Sequence, residues 1–98
     1  KQLYLKRLQA IQDRYTDIGV KISAILDHLV NTLTASLIQK ESLSQKEKEI
    51  VRSLVIIREQ SNKIKDFQNK SFDSQDEMKE YFQNIISNLR NEIILMKQ

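Results

Sequence analysis

Tyr4, Leu8, Ile11, Tyr15, Ile18, Ile22, Ile25 and Leu29 follow one another at alternating steps of four and three residues, with no polar interruption. Such a row stays on one side of an α-helix and forms the seam by which a helix packs on other helices; a strand would need steps of two. A helix carrying this seam cannot bury it alone. The rest of the chain, or another chain, has to cover it.

The remaining sequence permits little except more helix. The 98 residues include no proline and a single glycine, Gly19. An all-β or α/β fold of this length would need several tight turns built from Gly, Pro or Asn-Gly pairs. Hydrophobic residues make up 40% of the chain, enough to fill a helical core. No apolar run exceeds four residues, against roughly 18 needed to cross a bilayer. A soluble chain without membrane insertion is expected, in an intracellular setting that is cytoplasm or nucleus. The sequence opens at Lys1 inside the periodic pattern and reads as a segment of something longer.

The net charge of +3 arises from 16 basic and 13 acidic residues that are well mixed. Lys46, Glu47, Lys48 and Glu49 alternate in sign, as on a solvated helix surface. The nearest approach to a basic patch is Lys1, Lys6 and Arg7, joined on the next turns by Asp13 and Arg14. Nucleic-acid-binding helices concentrate their basic residues on one face, so no nucleic-acid partner is expected. The absence of cysteine excludes disulfides and thiolate metal sites, and one histidine excludes a His-rich cluster. No metal or cofactor is expected.

Two capping signals divide the chain. Ser44 followed by Glu47, and Ser74 followed by Glu77, each have the spacing of a capping box. These signals place helices over about 2–41, 44–70 and 74–97. In the first, the strict row would continue at Thr32 and Ser36, and the apolar residues shift instead to Leu26, Val30, Leu33 and Leu37. A widening of the buried face from one seam to two accounts for the shift. The second helix carries Ile50, Leu54, Ile57, Ser61 and Ile64, flanked by Val51, Val55 and Phe67; the third carries Met78, Phe82, Ile85, Ile86, Leu89, Ile93 and Met96. Ser61 is either a small residue making room or a buried hydroxyl that sets register, with Thr32 across the hairpin as its partner.

Folding at the breaks sets Val30 opposite Ile57, Ile22 opposite Ile64, and Ile57 opposite Leu89. The expected architecture is all-α: an up-down-up antiparallel three-helix bundle with a core of Ile22, Ile57, Ile64, Phe82 and Leu89 and an extended, coiled-coil-forming first helix. The second turn, near Phe72, should stand level with Tyr15. Residues 1–14 would then project beyond a bundle of residues 15–98 by roughly 20 Å at 1.5 Å per residue. That projection is apolar, so the expected interface is Tyr4, Leu8, Ile11, Tyr15 and Ile18, engaging a second copy or another helical protein. A charge at Leu8 should then weaken association and spare helicity. Three antiparallel helices put the termini at opposite ends, a layout similar to a spectrin repeat and suited to a scaffold or assembly segment. A swapped form, with the first two helices merged through residues 42–44, is the competing arrangement.

One stretch supports a chemical alternative. Asp27-His28 and Thr32 lie on a long helix followed by a turn and a second amphipathic helix. This resembles the dimerisation and phosphotransfer hairpin of sensor histidine kinases, where an exposed histidine accepts phosphate beside an acidic residue and a Thr or Asn one turn later assists dephosphorylation. The resemblance implies those roles for His28, Asp27 and Thr32; Leu29 stands where the family usually has an acidic residue, and Leu33 where it often has proline. Nothing else points to catalysis. Asp13, Asp17 and Asp27 are expected on solvated faces, the serines lack a histidine at a recognisable spacing, and one glycine cannot make a phosphate loop. No enzymatic activity and no small-molecule substrate are expected.

Overall fold

A computed structural model describes all of residues 1–98 and contains three helices: α1 (Gln2–Ile38), α2 (Gln45–Asp66) and α3 (Gln75–Lys97), with a 3-10 turn at Phe67–Asn69 between the last two. They form an up-down-up bundle measuring 59 × 20 × 16 Å. The long dimension is that of α1, whose 37 residues span about 55 Å at 1.5 Å per residue.

The helix starts follow the capping chemistry. Ser44 Oγ accepts from the Glu47 amide at 3.1 Å, and Glu47 Oε1 accepts from the Ser44 amide at 3.0 Å, closing a full capping box. At α3 only half of the box forms. Ser74 Oγ accepts from the Glu77 amide at 3.2 Å, but the Glu77 carboxylate takes the amide of Asp73 rather than that of Ser74. The α1–α2 turn needs no left-handed residue: no φ in the chain is positive. Gln39 keeps a right-handed helical conformation at the end of α1, and the extended Ser44 starts α2. A Lys40–Glu47 ion pair spans the turn.

The core has two parts. An aliphatic part holds Leu26, Val30, Leu54, Ile57, Ile64, Ile85 and Leu89. An aromatic part at the other end gathers Leu8, Phe67, Met78 and Phe82 with the half-buried Ile11, Tyr15, Phe72 and Tyr81. Phe67, expected only to flank the second helix, is fully enclosed and packs against Tyr15, Phe72, Tyr81 and Phe82. Ile57, Ile64, Phe82 and Leu89 are buried as expected, whereas Ile22 is half-buried.

The α1 seam differs from the sequence reading. The residues facing inward are Leu8, Gln12, Gly19, Ser23, Leu26 and Val30, so beyond Tyr15 the strict apolar row runs along the edge of the interior, where only Ile22 still packs on the core. Ile18, Ile25 and Leu29 are 53%, 69% and 37% exposed. Small residues cause the rotation. A Cβ built on Gly19 would stand 2.8 Å from Ile64 Cγ2, so α1 and α2 cross where only glycine fits. Ser23 and Ser61, both buried, continue the close crossing. Close backbone approach there brings many atoms of the two helices into dispersion contact.

The expected projection of residues 1–14 is also corrected. The polypeptide after Asp66 leaves the α-helix for a short 3-10 turn and then extended backbone at Lys70 and Ser74, which rises about 3.3 Å per residue against 1.5 Å for an α-helix. Residues 67–74 therefore reach further along α1 than a helix running to residue 70 would. Gln12 Nε2 donates to the carbonyls of Phe67 and Lys70, and the Tyr4 hydroxyl donates to the carbonyl of Asp73 at 2.8 Å. Leu8 lies beneath this wrap, and only the first turns of α1 overhang the bundle.

Candidate functional site

The expected interface residues do not share one surface. Leu8 is buried, and Ile11 and Tyr15 are half-buried in the aromatic core; Tyr15 stacks on Phe82 with ring centroids 4.9 Å apart. Tyr4 and Ile18 stay more than half exposed. The interface reading of Leu8 and Tyr15 is thus replaced by an internal role, because the α2–α3 connection reaches far enough to cover them.

The apolar surface that is left lies elsewhere. Successive residues advance about 100° around a helix, which gives α1 three distinct sides. Gly19, Leu26 and Val30 point inward. Asp27 and Asn31 occupy the flank toward α2, where they meet Ser61, Lys65 and Arg58. Ile18, Ile25 and Leu29 occupy the opposite flank, toward α3. On α3 the corresponding division puts Tyr81 and Asn88 against α2, where they bond the Lys63 carbonyl and Gln60. Ile86 and Ile93 then lie on the flank toward α1, at 39% and 40% exposure. The stacked pair Tyr15–Phe82 fixes the relative level of these two parallel helices. Rising at the same rate, they keep Ile86 and Ile93 abreast of the stretch from Ile18 to Leu29. Both helices rest on α2 far more than on each other, so this angular placement sets the two apolar rows along the borders of one open side of the bundle, the α1–α3 groove.

A second apolar hollow of about 720 Å³ opens where the end of α1 meets the start of α2. Val30, Leu37, Leu43, Val51, Leu54 and Val55 line it, with Lys40, Glu41, Lys48, Arg58 and Glu59 among the lining charges. Its size falls in the range of small-ligand pockets. Its lining charges are of both signs.

The residues of the chemical alternative are split. His28 and Thr32 are exposed on the outer side of α1. Asp27 turns to α2, where its carboxylate accepts from Lys65 and, at 2.8 Å, from the fully buried Ser61 hydroxyl, with Arg58 at 3.9 Å. The hydrogen bond from Lys65 and that from Ser61 hold the Asp27 carboxyl below the usual carboxylate range. Asp27 is a clasp between two helices. Ser61 therefore has a register-setting hydrogen bond, but its partner is Asp27 and not Thr32. Buried side-chain polar atoms all have partners. No group of three or more His, Cys, Asp or Glu side chains is placed to hold a metal ion, and no helix is long and apolar enough to cross a membrane.

No protein-family model, curated protein or solved structure matches the chain.

The sequence reading missed Ile25, Leu29, Ile86 and Ile93 as surface residues. Ile25 and Leu29 belong to the strong α1 row, which pointed to the interior by its regularity. The available signal was the interleaved set Gly19, Ser23 and Leu26, whose small members indicate close helix contact without adding hydrophobicity.

Proposed function

We propose that this chain is a protein–protein interaction module, a coiled-coil scaffold or assembly segment of a larger protein or complex. It associates with a further helix through α1. The observation behind this reading is the row Ile18, Ile25 and Leu29, left on the surface of a folded bundle beside Ile86 and Ile93. Fully burying one such side chain is worth about 1.5–3 kcal/mol. A fourth helix laid over five half-covered ones recovers several kcal/mol that this fold leaves unused. Of the interface expected from sequence, Tyr4 and Ile18 stay accessible, and the accessible row extends to Ile25. The division between a folded part and an associating part therefore runs along α1, not across it at residue 14.

Two measurements test the reading. One is solution mass by light scattering over a concentration series, for the parent chain and for Ile18→Asp/Ile25→Asp. The other is a methyl NMR titration with a neutral amphipathic peptide helix carrying Leu on its apolar face and Gln on both flanks. Association lost in the double variant, or peptide-induced shifts centred on Ile18, Ile25, Ile86 and Ile93, supports the proposal. A monomer at every concentration whose isoleucine methyls respond to no amphipathic helix, neutral or charged on its flanks, would overturn it.

A further inference from the structure

The groove between α1 and α3 has charged rims, and both have the same sign. On α1, Arg7, Arg14 and Lys21 recur every seven residues beside the row Tyr4, Ile11, Ile18 and Ile25, which has the same period. Matching periods keep the two rows adjacent along the helix, since a seven-residue repeat drifts only about 20° per heptad. On α3, Lys79, Arg90 and Lys97 flank Ile86 and Ile93 on the side away from α2. All six are exposed, and none makes an ion pair within the chain. Asp13 and Asp17 stand behind the α1 rim and Asp76 and Glu80 behind the α3 rim, on the outer sides of their helices. These six residues outweigh the entire net charge of +3, so the rest of the chain is net acidic.

The geometry points to one occupant: an amphipathic helix of a different protein, with an apolar face and carboxylates along both edges. This inference rests on the interaction-module reading above and specifies its partner. Apolar contact with the two rows supplies affinity, and the paired rims select the sign of the flanks and favour fast encounter. A second copy of this chain fits poorly, because its α1 would bring Arg7, Arg14 and Lys21 against rims that already repel them. No helix here offers an apolar row with carboxylates on both sides. An anionic membrane shares the sign preference. However, interfacial helices bury Trp, Phe or Leu at the headgroup boundary, whereas the open side here carries one leucine, Leu29 at 37% exposure, no tryptophan, and no phenylalanine outside the aromatic core.

The test uses the neutral peptide of the preceding section with its Gln flanks changed to Glu in one version and to Lys in another. Binding is followed by fluorescence anisotropy at two salt concentrations and by isoleucine methyl shifts. The Glu peptide is expected to bind at least tenfold more tightly than the Lys peptide, to weaken with added salt, and to shift Ile18, Ile25, Ile86 and Ile93. The variant Arg14→Glu/Arg90→Glu alters exposed, unbonded side chains, so it should keep its helicity. It should lose about tenfold for the Glu peptide and gain for the Lys peptide, as expected for a few exposed ion pairs. Equal binding of both charged peptides overturns the inference while leaving the interaction reading intact. So does binding to phosphatidylserine vesicles in the absence of Glu-peptide binding. Failure of all three peptides, with no self-association, removes both.

Discussion

Along α1, the flank toward α2 and the flank toward α3 differ in what accompanies their apolar residues. Toward α2, Gly19 and Ser23 let the helices approach closely, and Asp27 and Asn31 meet Ser61, Lys65 and Arg58. Toward α3, the residues are bulky (Ile18, Ile25, Leu29) and the nearby charges are Arg and Lys on both helices. No polar pair bridges that side. The more hydrophobic flank is the open one. Apolar content alone therefore does not decide which side of a helix is covered; small residues at the crossing and directional partners beside it do.

The most severe way to break the closed side is Ile57→Asp. Ile57 has no exposed surface, and a buried, unpaired carboxylate is not tolerated; loss of the cooperative far-UV transition is expected. Next is Phe67→Ala, which should cost about 3–5 kcal/mol in urea denaturation because four aromatic rings pack on Phe67. Leu8→Glu belongs with it and should destabilise the fold, not merely weaken association, since Leu8 lies in the same cluster.

Gly19→Ala sets two effects against each other. Alanine favours the helix by about 1 kcal/mol, but its methyl would meet Ile64 Cγ2 at 2.8 Å. That atom belongs to a β-branched side chain with little freedom to yield. Overpacking of this kind costs about 1–3 kcal/mol, so net destabilisation is expected by thermal melting. A stabilised variant would mean that the α1–α2 crossing is looser than described.

Asp27 gives the comparison a pH dependence. Its carboxyl is held below the ordinary range by Lys65 and Ser61, so on acidification the unfolded chain takes up this proton first. The associated stability is complete above the ordinary value of about 3.9 and is lost as pH falls from there through the lower folded value. Asp27→Asn should flatten the melting temperature against pH below about 4. Identical acid limbs would show that the clasp contributes nothing. The smallest effect on stability belongs to the open side: Ile25→Asp, at a position 69% exposed, should leave the melt within about 0.5 kcal/mol of the parent while suppressing association.

The three helices and their starts were legible because each depends on local features: apolar periodicity within one segment, and a serine three residues before a glutamate. The side of α1 that is buried depends on a partner about forty residues away. Gly19 carries no hydrophobic signal, yet its fit against Ile64 turns the helix. The extent of the overhang is hidden in the sequence for a similar reason. Phe67 reads as one more apolar residue of α2, but the chain leaves the α-helix at that point for a 3-10 turn and extended backbone, and so covers Leu8 and Gln12. In the candidate site, Tyr4 and Ile18 were found from the row itself, whereas Ile86 and Ile93 required the helices to be placed side by side.

The aromatic cluster has a use at the bench. Tyr15, Tyr81 and all three phenylalanines sit in it, Tyr4 is tied to the adjoining loop at Asp73, and the chain has no tryptophan. Near-ultraviolet ellipticity and tyrosine emission therefore report on that end of the rod alone, while far-ultraviolet ellipticity reports on its whole length. Without any label, coincidence or separation of the two melting curves reveals whether the rod comes apart as one unit or begins from its aliphatic end.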